Sequence, residues 1–175
     1  ICWSLVGSEM CIRDRCRRFY RESGEFSLCV NIGKKDYVLA ENPIDSNTIF
    51  YYGIKGIGKL GTMFSEDHVL VREGEFVDVR SYLHKFRIFH SQEDFHLVGF
   101  NTLEKGQNWE GRLVKSEETV IDLDKSYRQT FLVCFNGKPI VNGKTMKRYE
   151  YARLDLNKQY NINLDGGVLG IFYKN

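Results

Sequence analysis

The four histidines are the side chains of this sequence best suited to metal binding or to acid–base chemistry, and all lie before residue 100. They are His68, His84, His90 and His96. The last three recur every six residues, a spacing of roughly 20 Å along an extended strand. His84 and His90 would therefore share a face without sharing a metal. If a hairpin brings His90 opposite His96, the pair could ligate one divalent metal, whereas other loop lengths place the two histidines diagonally or on opposite faces.

A row of polar residues lies in the segment 76–89, which its alternating pattern predicts as one long strand. The polar positions on one face are Asp78, Arg80, Tyr82 and His84. Beyond His84 the alternation inverts and Arg87 takes a polar position, which predicts a bulge or bend between Ser81 and Lys85. The row could line the mouth of a ligand cavity in a small barrel. The alternative is a solvated outer face that carries an Asp78–Arg80 ion pair.

The other motifs of the sequence do not point to a particular reaction or ligand. The G-x-G-x-x-G spacing from Gly56 to Gly61 has no helix pattern after it, so a glycine-rich hairpin or barrel corner explains it better than a phosphate loop. Cys134 stands in the apolar run 131–135, which predicts a buried side chain and not a nucleophile. No Ser-His-Asp order or cysteine–histidine motif stands out, although such sites form in space and a linear sequence does not exclude them.

The elements that would position these residues are strands. Short runs rich in Val, Ile, Tyr, Phe and Thr recur along the chain and are bounded by Gly, Asn and Asp. Asn136-Gly137 and Asn142-Gly143 suit tight hairpin turns. The order of strands and turns in residues 48–100 returns in residues 130–175, which predicts two pseudo-repeated halves. The halves would form one double-stranded β-helix or two small barrels packed together.

The turn pattern of residues 131–154 resembles the cupin superfamily. Phe131-Leu-Val-Cys-Phe-Asn-Gly-Lys-Pro-Ile-Val-Asn-Gly-Lys, followed by the strand Arg148 to Leu154, matches the order of a cupin half-barrel, and Leu70 to Val79 is a weaker echo. The resemblance covers about residues 48–175 and implies an all-β, cupin-like barrel. Cupin metal sites use a His-x-His pair with a nearby Glu and a later His. This chain has no His-x-His and no histidine after residue 100, so we predict no cofactor, with the His90–His96 metal as the alternative.

The resemblance implies a protein that binds a small polar or anionic molecule in its barrel. If the protein is an enzyme, the implied reactions are those of an isomerase, epimerase or lyase. His84 or His90 would then act as general base, and Arg80 or Arg87, in the row with Asp78 and Tyr82, would hold an anionic substrate. The rival hypothesis is a non-catalytic structural or assembly domain, of a virus for example, that uses the outside of the barrel.

The first fifteen residues are a separate case. Residues 5–15, LVGSEMCIRDR, resemble the translation of a transposon-based sequencing adaptor. We interpret residues 1–15 as a non-native segment of a conceptual translation from an uncultured or shotgun source, truncated at its true start. We expect this segment to lack fixed packing. Residues 16–175 are then predicted to form a single domain.

The composition limits the partners and the compartment. The net charge is +2 with or without residues 1–15, because that segment holds two acidic and two basic residues. Such a balance predicts neither nucleic-acid nor membrane binding. Without Cys2 and Cys11, the remaining cysteines are widely spaced and fit neither a disulfide framework nor a zinc site, which favours the cytoplasm. A homodimer that pairs through an edge strand is also expected.

Overall fold

The computed structural model describes residues 16–35, 38–41, 48–61, 68–82, 87–102 and 108–175. Within these residues the chain consists of antiparallel β-strands and turns, and the 3-10 turn Arg80–Tyr82 is the one helical element. The all-β prediction is therefore confirmed. The chain divides into two compact units, Ile1–Gly106 and Gln107–Asn175, called here the N-terminal and C-terminal units. The prediction of a single domain over residues 16–175 stays a prediction.

The N-terminal unit has two sheets. Its strands are β1 (Cys16–Glu22), β2 (Phe26–Gly33), β3 (Val38–Glu41), β4 (Thr48–Lys55), β5 (Ile57–Gly61), β6 (His68–Arg72), β7 (Phe76–Asp78), β8 (Arg87–Ser91) and β9 (Phe95–Thr102). One sheet has the order β1-β2-β9-β4-β7 and the other the order β3-β8-β5-β6. Tyr51 and Leu97 of the first sheet pack with Leu60 and Val71 of the second, so the two sheets face each other across a buried core.

The C-terminal unit also has two sheets. Its strands are β10 (Trp109–Leu113), β11 (Val120–Ile121), β12 (Gln129–Asn136), β13 (Ile140–Val141), β14 (Lys144–Thr145), β15 (Tyr151–Leu154), β16 (Tyr160–Asn163) and β17 (Val168–Lys174). The sheet orders are β10-β17-β12-β15 and β11-β16-β13-β14. Leu132 and Ile171 of the first sheet pack with Ile121 and Ile162 of the second.

The two units repeat each other strand for strand. When β2 to β9 are matched in chain order with β10 to β17, every strand has the same neighbours in both units. β1, at the edge of the first sheet, has no counterpart among the described residues of the C-terminal unit. The pseudo-repeat predicted from turns in residues 48–100 and 130–175 thus covers eight strands of each unit, and each unit has its own pair of facing sheets.

The repeat extends to individual backbone irregularities. Ile54 in β4 and Phe135 in β12 are each left unpaired by a bulge, and a glycine follows two residues later in both units. Gly56 has φ of +76° and Gly137 has φ of +73°. An added Cβ would lie 2.2 Å from the Asp94 carbonyl oxygen at Gly56, and 2.5 Å from the Gly167 Cα at Gly137. Both positions therefore require glycine for space as well as for φ.

The structure confirms one predicted hairpin and corrects one predicted strand. Asn142 and Gly143, with φ of +47° and +75°, form the two-residue turn between β13 and β14. The long strand predicted over residues 76–89 is wrong, because β7 ends at Asp78 and a 3-10 turn follows. The Asp78 side chain accepts a hydrogen bond from the Arg80 backbone N–H at 2.9 Å, a local contact that competes with strand pairing.

Candidate functional site

The interior face of the first sheet of the N-terminal unit carries uncharged polar side chains. Residues directly opposite each other in antiparallel strands project to the same side. Ser27 of β2 pairs with Asn101 of β9, and Cys29 pairs with Gly99. Asn31 pairs with Leu97, a member of the buried core between the two sheets. The alternate positions of β2 therefore direct a hydroxyl, a thiol and an amide into the barrel.

The neighbouring strand β4 completes this surface around Gly99. A Cβ added to Gly99 would lie 3.0 Å from Thr48 Cγ2, 3.2 Å from Tyr51 Cε1 and 3.5 Å from Asn101 Oδ1. These three side chains thus converge over a position that has no side chain of its own. We call the set the polar patch; its members are Ser27, Cys29, Asn31, Thr48, Tyr51 and Asn101. Sequence analysis missed it, although the alternation in Phe26-Ser-Leu-Cys-Val-Asn-Ile is a signal of polar groups on one strand face.

Two donors of the polar patch, on Ser27 and Asn101, have no hydrogen-bond partner among the described residues. Thr48 Oγ1 donates to Asn101 Oδ1 at 2.6 Å, and Asn31 Nδ2 donates weakly to Cys29 Sγ at 3.5 Å. Neither the Ser27 hydroxyl nor Asn101 Nδ2 makes a hydrogen bond to any residue that the structure describes. Ser27 and Asn101 are opposite each other, which sets their Cβ atoms about 4.5–5.5 Å apart. A single acceptor oxygen could therefore receive both donors.

The corresponding interior of the C-terminal unit is aliphatic at three of these positions. The pairing of β10, β12 and β17 places Val114 where the N-terminal unit has Asn31, Leu132 in place of Tyr51, and Ile171 in place of Gly99. All three belong to the buried core of that unit. The two units thus share a strand topology. Polar side chains around a glycine, Gly99, are found in the N-terminal unit, whereas Ile171 takes the glycine's place in the C-terminal unit.

The predicted histidine pair is not brought together by a hairpin. His90 lies on β8 opposite Lys59 and Val38, and His96 lies on β9 opposite Ile32 and Lys55. β8 and β9 belong to different sheets, so the expected hairpin between them is wrong. His96 is one residue out of phase with Leu97 and is therefore on the outer face. His84 lies outside the described residues, and the predicted roles of these histidines stay predictions.

The predicted polar row is an exterior ion pair at its two described positions. Arg80 Nη2 lies 2.5 Å from Asp78 Oδ2, and both side chains are partly exposed. The Arg80 guanidinium carbon is 5.3 Å from the centroid of the Phe50 ring, on the face of β4 opposite Tyr51. Arg80 therefore does not line the barrel interior. Tyr82 closes the 3-10 turn and Arg87 begins β8, but the structure describes only their backbones.

The described residues do not fit a metal site. No group of three or more His, Cys, Asp or Glu side chains among them could hold a metal ion. The polar patch offers amides, hydroxyls and one thiol, without the imidazole and carboxylate ligands that transition metals select. The predicted His90–His96 site stays a prediction, because the His90 side chain is outside the description.

Cys134 is a buried, protonated thiol. Its side chain is fully buried in the core of the C-terminal unit. This burial, together with the charge of Glu150, raises the pKa of the Cys134 thiol to about 12. A thiol with such a pKa carries almost no thiolate near neutral pH, so Cys134 is not a nucleophile there.

The chain has a cupin-type barrel fold, as the solved structures similar to it show, and its N-terminal unit has polar side chains on the interior face. YhhW from Escherichia coli has a similar structure, with a TM-score of 0.66 and 11% identity over 96% of this chain and 94% of that chain. HutD from Pseudomonas fluorescens SBW25 has a TM-score of 0.58 and 10% identity over 90% and 86% of the two chains. A cupin 2 conserved barrel domain protein from Leptotrichia buccalis has a TM-score of 0.51 and 12% identity over 91% and 88%.

Identities this low establish the fold alone. No family model matches the sequence, and no curated protein matches it. Among the residues that the structure describes, no helix has both the length and the apolar character needed to span a membrane.

Proposed function

We propose that the N-terminal barrel binds a small polar molecule on the polar patch. The observation that carries this proposal is the pair of free donors, the Ser27 hydroxyl and Asn101 Nδ2, opposite each other inside the barrel. Ser27 and Asn101 are only half-buried, so a small molecule can reach both donors. A ligand oxygen in front of Gly99 would supply the missing acceptor.

The patch favours a neutral ligand with a carbonyl or hydroxyl oxygen. None of its members is charged, and the one described arginine of the predicted substrate site, Arg80, is paired with Asp78 outside the barrel. Burying a carboxylate without a cation is costly. The anionic alternative therefore depends on Arg87, whose side chain is outside the description. Thr48, which donates to Asn101 Oδ1, fixes the amide so that Nδ2 is available.

One of the structurally similar proteins forms a complex with a metal ion. One structure of the bacterial pirin YhhW contains nickel(II), and one of HutD was determined in a formate condition. We propose metal-free binding for this chain, because the polar patch holds a single thiol and no imidazole or carboxylate. Catalysis by an isomerase, epimerase or lyase mechanism, with His84 or His90 as base, is a further hypothesis that binding alone would not establish.

Calorimetric titration of the whole chain with acetamide, a minimal neutral carbonyl compound, tests the proposal. Because a ligand with so few atoms gains little binding free energy, we expect a dissociation constant in the millimolar range. Ser27→Ala should weaken it several-fold and Asn101→Leu should abolish it. Ser116→Ala, on an exposed turn of the C-terminal unit, is the matched control and should change nothing. Binding that survives Asn101→Leu, or acetate binding more tightly than acetamide, would contradict a neutral site at the polar patch.

A further inference from the structure

We infer that the thiol of Cys29 adds reversibly to an aldehyde held on the polar patch, an inference that rests on the proposed function and narrows its ligand to aldehydes. Cys29 is 5% exposed, and its sulfur is not part of a disulfide. In the pairing of β2 with β9 it is directly opposite Gly99. The thiol therefore borders a position without a side chain, in front of which the ligand oxygen is proposed to lie.

The nucleophile and the two hydrogen-bond donors lie in adjacent rows of one sheet face. Ser27 is opposite Asn101, and Cys29, two residues further along β2, is opposite Gly99. Residues on the same face of one strand are about 7 Å apart, a gap that a carbonyl group with its hydrogen bonds can span. A carbonyl oxygen bonded to the Ser27 hydroxyl and Asn101 Nδ2 would therefore have its carbon beside the Cys29 sulfur. Because Ser27 and Asn101 are half-buried, a small aldehyde can approach from their side.

The donors on Ser27 and Asn101 would also stabilise the addition itself. When a thiol adds to an aldehyde, a C–S bond forms and the C=O π bond breaks. Negative charge develops on the oxygen until that oxygen takes up the proton that the thiol has lost. Donors already directed at the oxygen stabilise this charge more than they stabilise the uncharged carbonyl. The product is a thiohemiacetal, and its formation requires no oxidant and releases no leaving group.

Asn31 supports the sulfur from the side of Cys29 that is away from Ser27. Its side chain is buried, with 4% of the residue exposed, and its Nδ2 donates to Cys29 Sγ at 3.5 Å. A hydrogen bond donated to sulfur favours the thiolate, which is the nucleophilic form of cysteine. The polar patch thus combines a supported nucleophile with two donors for the oxygen of the group that it attacks.

The equivalent positions of the C-terminal unit lack this combination. Arg112, paired with Ile171, occupies the position that Cys29, paired with Gly99, has in the N-terminal unit. A guanidinium thus replaces the thiol, and a branched side chain fills the place of the glycine. We therefore assign the reaction with aldehydes to the N-terminal unit.

Carbon-13 NMR of the full chain with acetaldehyde, labelled with 13C at its carbonyl carbon, tests the inference. We expect a saturable thiohemiacetal signal that is lost in the near-isosteric variant Cys29→Ser and in Cys29→Ala. Other thiols and amines of the chain can react as well, so the adduct is assigned by the difference between the wild type and these variants. Cys134→Ser, which alters a buried thiol of the C-terminal unit, is the matched control and should keep the signal. An adduct that persists in Cys29→Ser would overturn the inference.

The donors on Ser27 and Asn101 and the proposed function are tested in the same titrations. Ser27→Ala and Asn101→Leu should each weaken adduct formation, Asn101→Leu by roughly ten-fold or more. Acetamide, whose carbonyl does not take up a thiol, reports hydrogen bonding on the polar patch alone and should compete with acetaldehyde. A chain that binds acetamide but forms no adduct would overturn the inference and leave the proposed function standing. A chain that binds neither compound would overturn both.

Discussion

Thr48 and Thr130 occupy corresponding positions in the two units, but only one of the two hydroxyls has a hydrogen-bond partner. Thr48 is paired across the sheet with Asn101 and donates to its Oδ1 at 2.6 Å. Thr130 is paired with Tyr173, is completely buried, and its Oγ1 meets no partner among the described residues. The repeated fold therefore places the same hydroxyl in two different environments.

Replacing each threonine by valine should have opposite effects on stability. Thr130→Val removes a buried hydroxyl that lacks a partner, and we expect it to raise the free energy of unfolding by about 1 kcal/mol. Thr48→Val removes a donor and leaves Asn101 Oδ1 unsatisfied, so we expect a loss of about 1–2 kcal/mol. Urea denaturation of both variants measures the difference. If both variants raise the free energy of unfolding, or both lower it, the two hydroxyls do not have the different environments described here.

The backbone geometry of two turns predicts a second contrast, between Gly137 and Gly143. Both have positive φ, but an added Cβ meets the Gly167 Cα at 2.5 Å only at Gly137, whereas nothing lies within 4 Å at Gly143. Gly143→Ala should cost about 1–2 kcal/mol for the left-handed backbone alone. Gly137→Ala should cost roughly 2–5 kcal/mol, because about 1–3 kcal/mol of overpacking is added. Thermal unfolding that ranks the two variants equally would argue against the close approach at Gly137.

Glu118 should make stability depend on pH in the acid range. Burial opposes its charge, but hydrogen bonds from Arg112 and from Lys115 N–H outweigh it and hold the pKa of Glu118 below 4.5. A carboxyl with a lowered folded pKa stabilises above its unfolded pKa, and this contribution is lost as pH falls through the folded pKa. Glu118→Gln should therefore cost less than about 1 kcal/mol near pH 7, since Arg112 is partly exposed. Urea denaturation in a pH series down to about pH 3 should show the difference in unfolding free energy between wild type and Glu118→Gln becoming smaller. A difference that stays constant over this range would contradict the linkage.

Cys134 should be unreactive while the protein is folded. Its buried thiol has a pKa raised to about 12, so a disulfide reagent such as DTNB should count the same number of thiols in the native wild type and in Cys134→Ser. In guanidinium chloride the variant should show one thiol fewer. Rapid native labelling that is lost in Cys134→Ser would show an accessible, ionised thiol instead.

The sequence was sufficient for the fold because its signals are local. Asn142-Gly143 specifies a hairpin by its own φ preferences, and the repeated order of strands and turns reflects two copies of one topology. The strand predicted over residues 76–89 was wrong for an equally local reason, the Asp78 side chain bound to the Arg80 backbone. An alternating pattern does not show which polar side chain will form a hydrogen bond with a nearby main-chain group and so end the strand.

The candidate site could not be predicted in the same way. Thr48 and Asn101 are 53 residues apart and meet only because β4 and β9 are neighbours in one register. The histidines of β8 and β9 were the predicted site residues, but the register sets His96 opposite Ile32, on the outer face of its sheet. The alternation in β2 was available in the sequence as a strand signal, but which of its faces is interior depends on the partner sheet.

Binding at the polar patch is the central claim, and the side-chain amide of Asn101 reports on it most directly. In a 15N-labelled full chain titrated with acetamide, we predict that the Asn101 Nδ2 resonances and the backbone amides of Ser27 and Gly99 shift together and saturate. Those of Val114 and Ile171, at corresponding positions in the C-terminal unit, should remain unchanged. No saturable shift at Asn101, or equal shifts in both units, would contradict a ligand site in the N-terminal barrel.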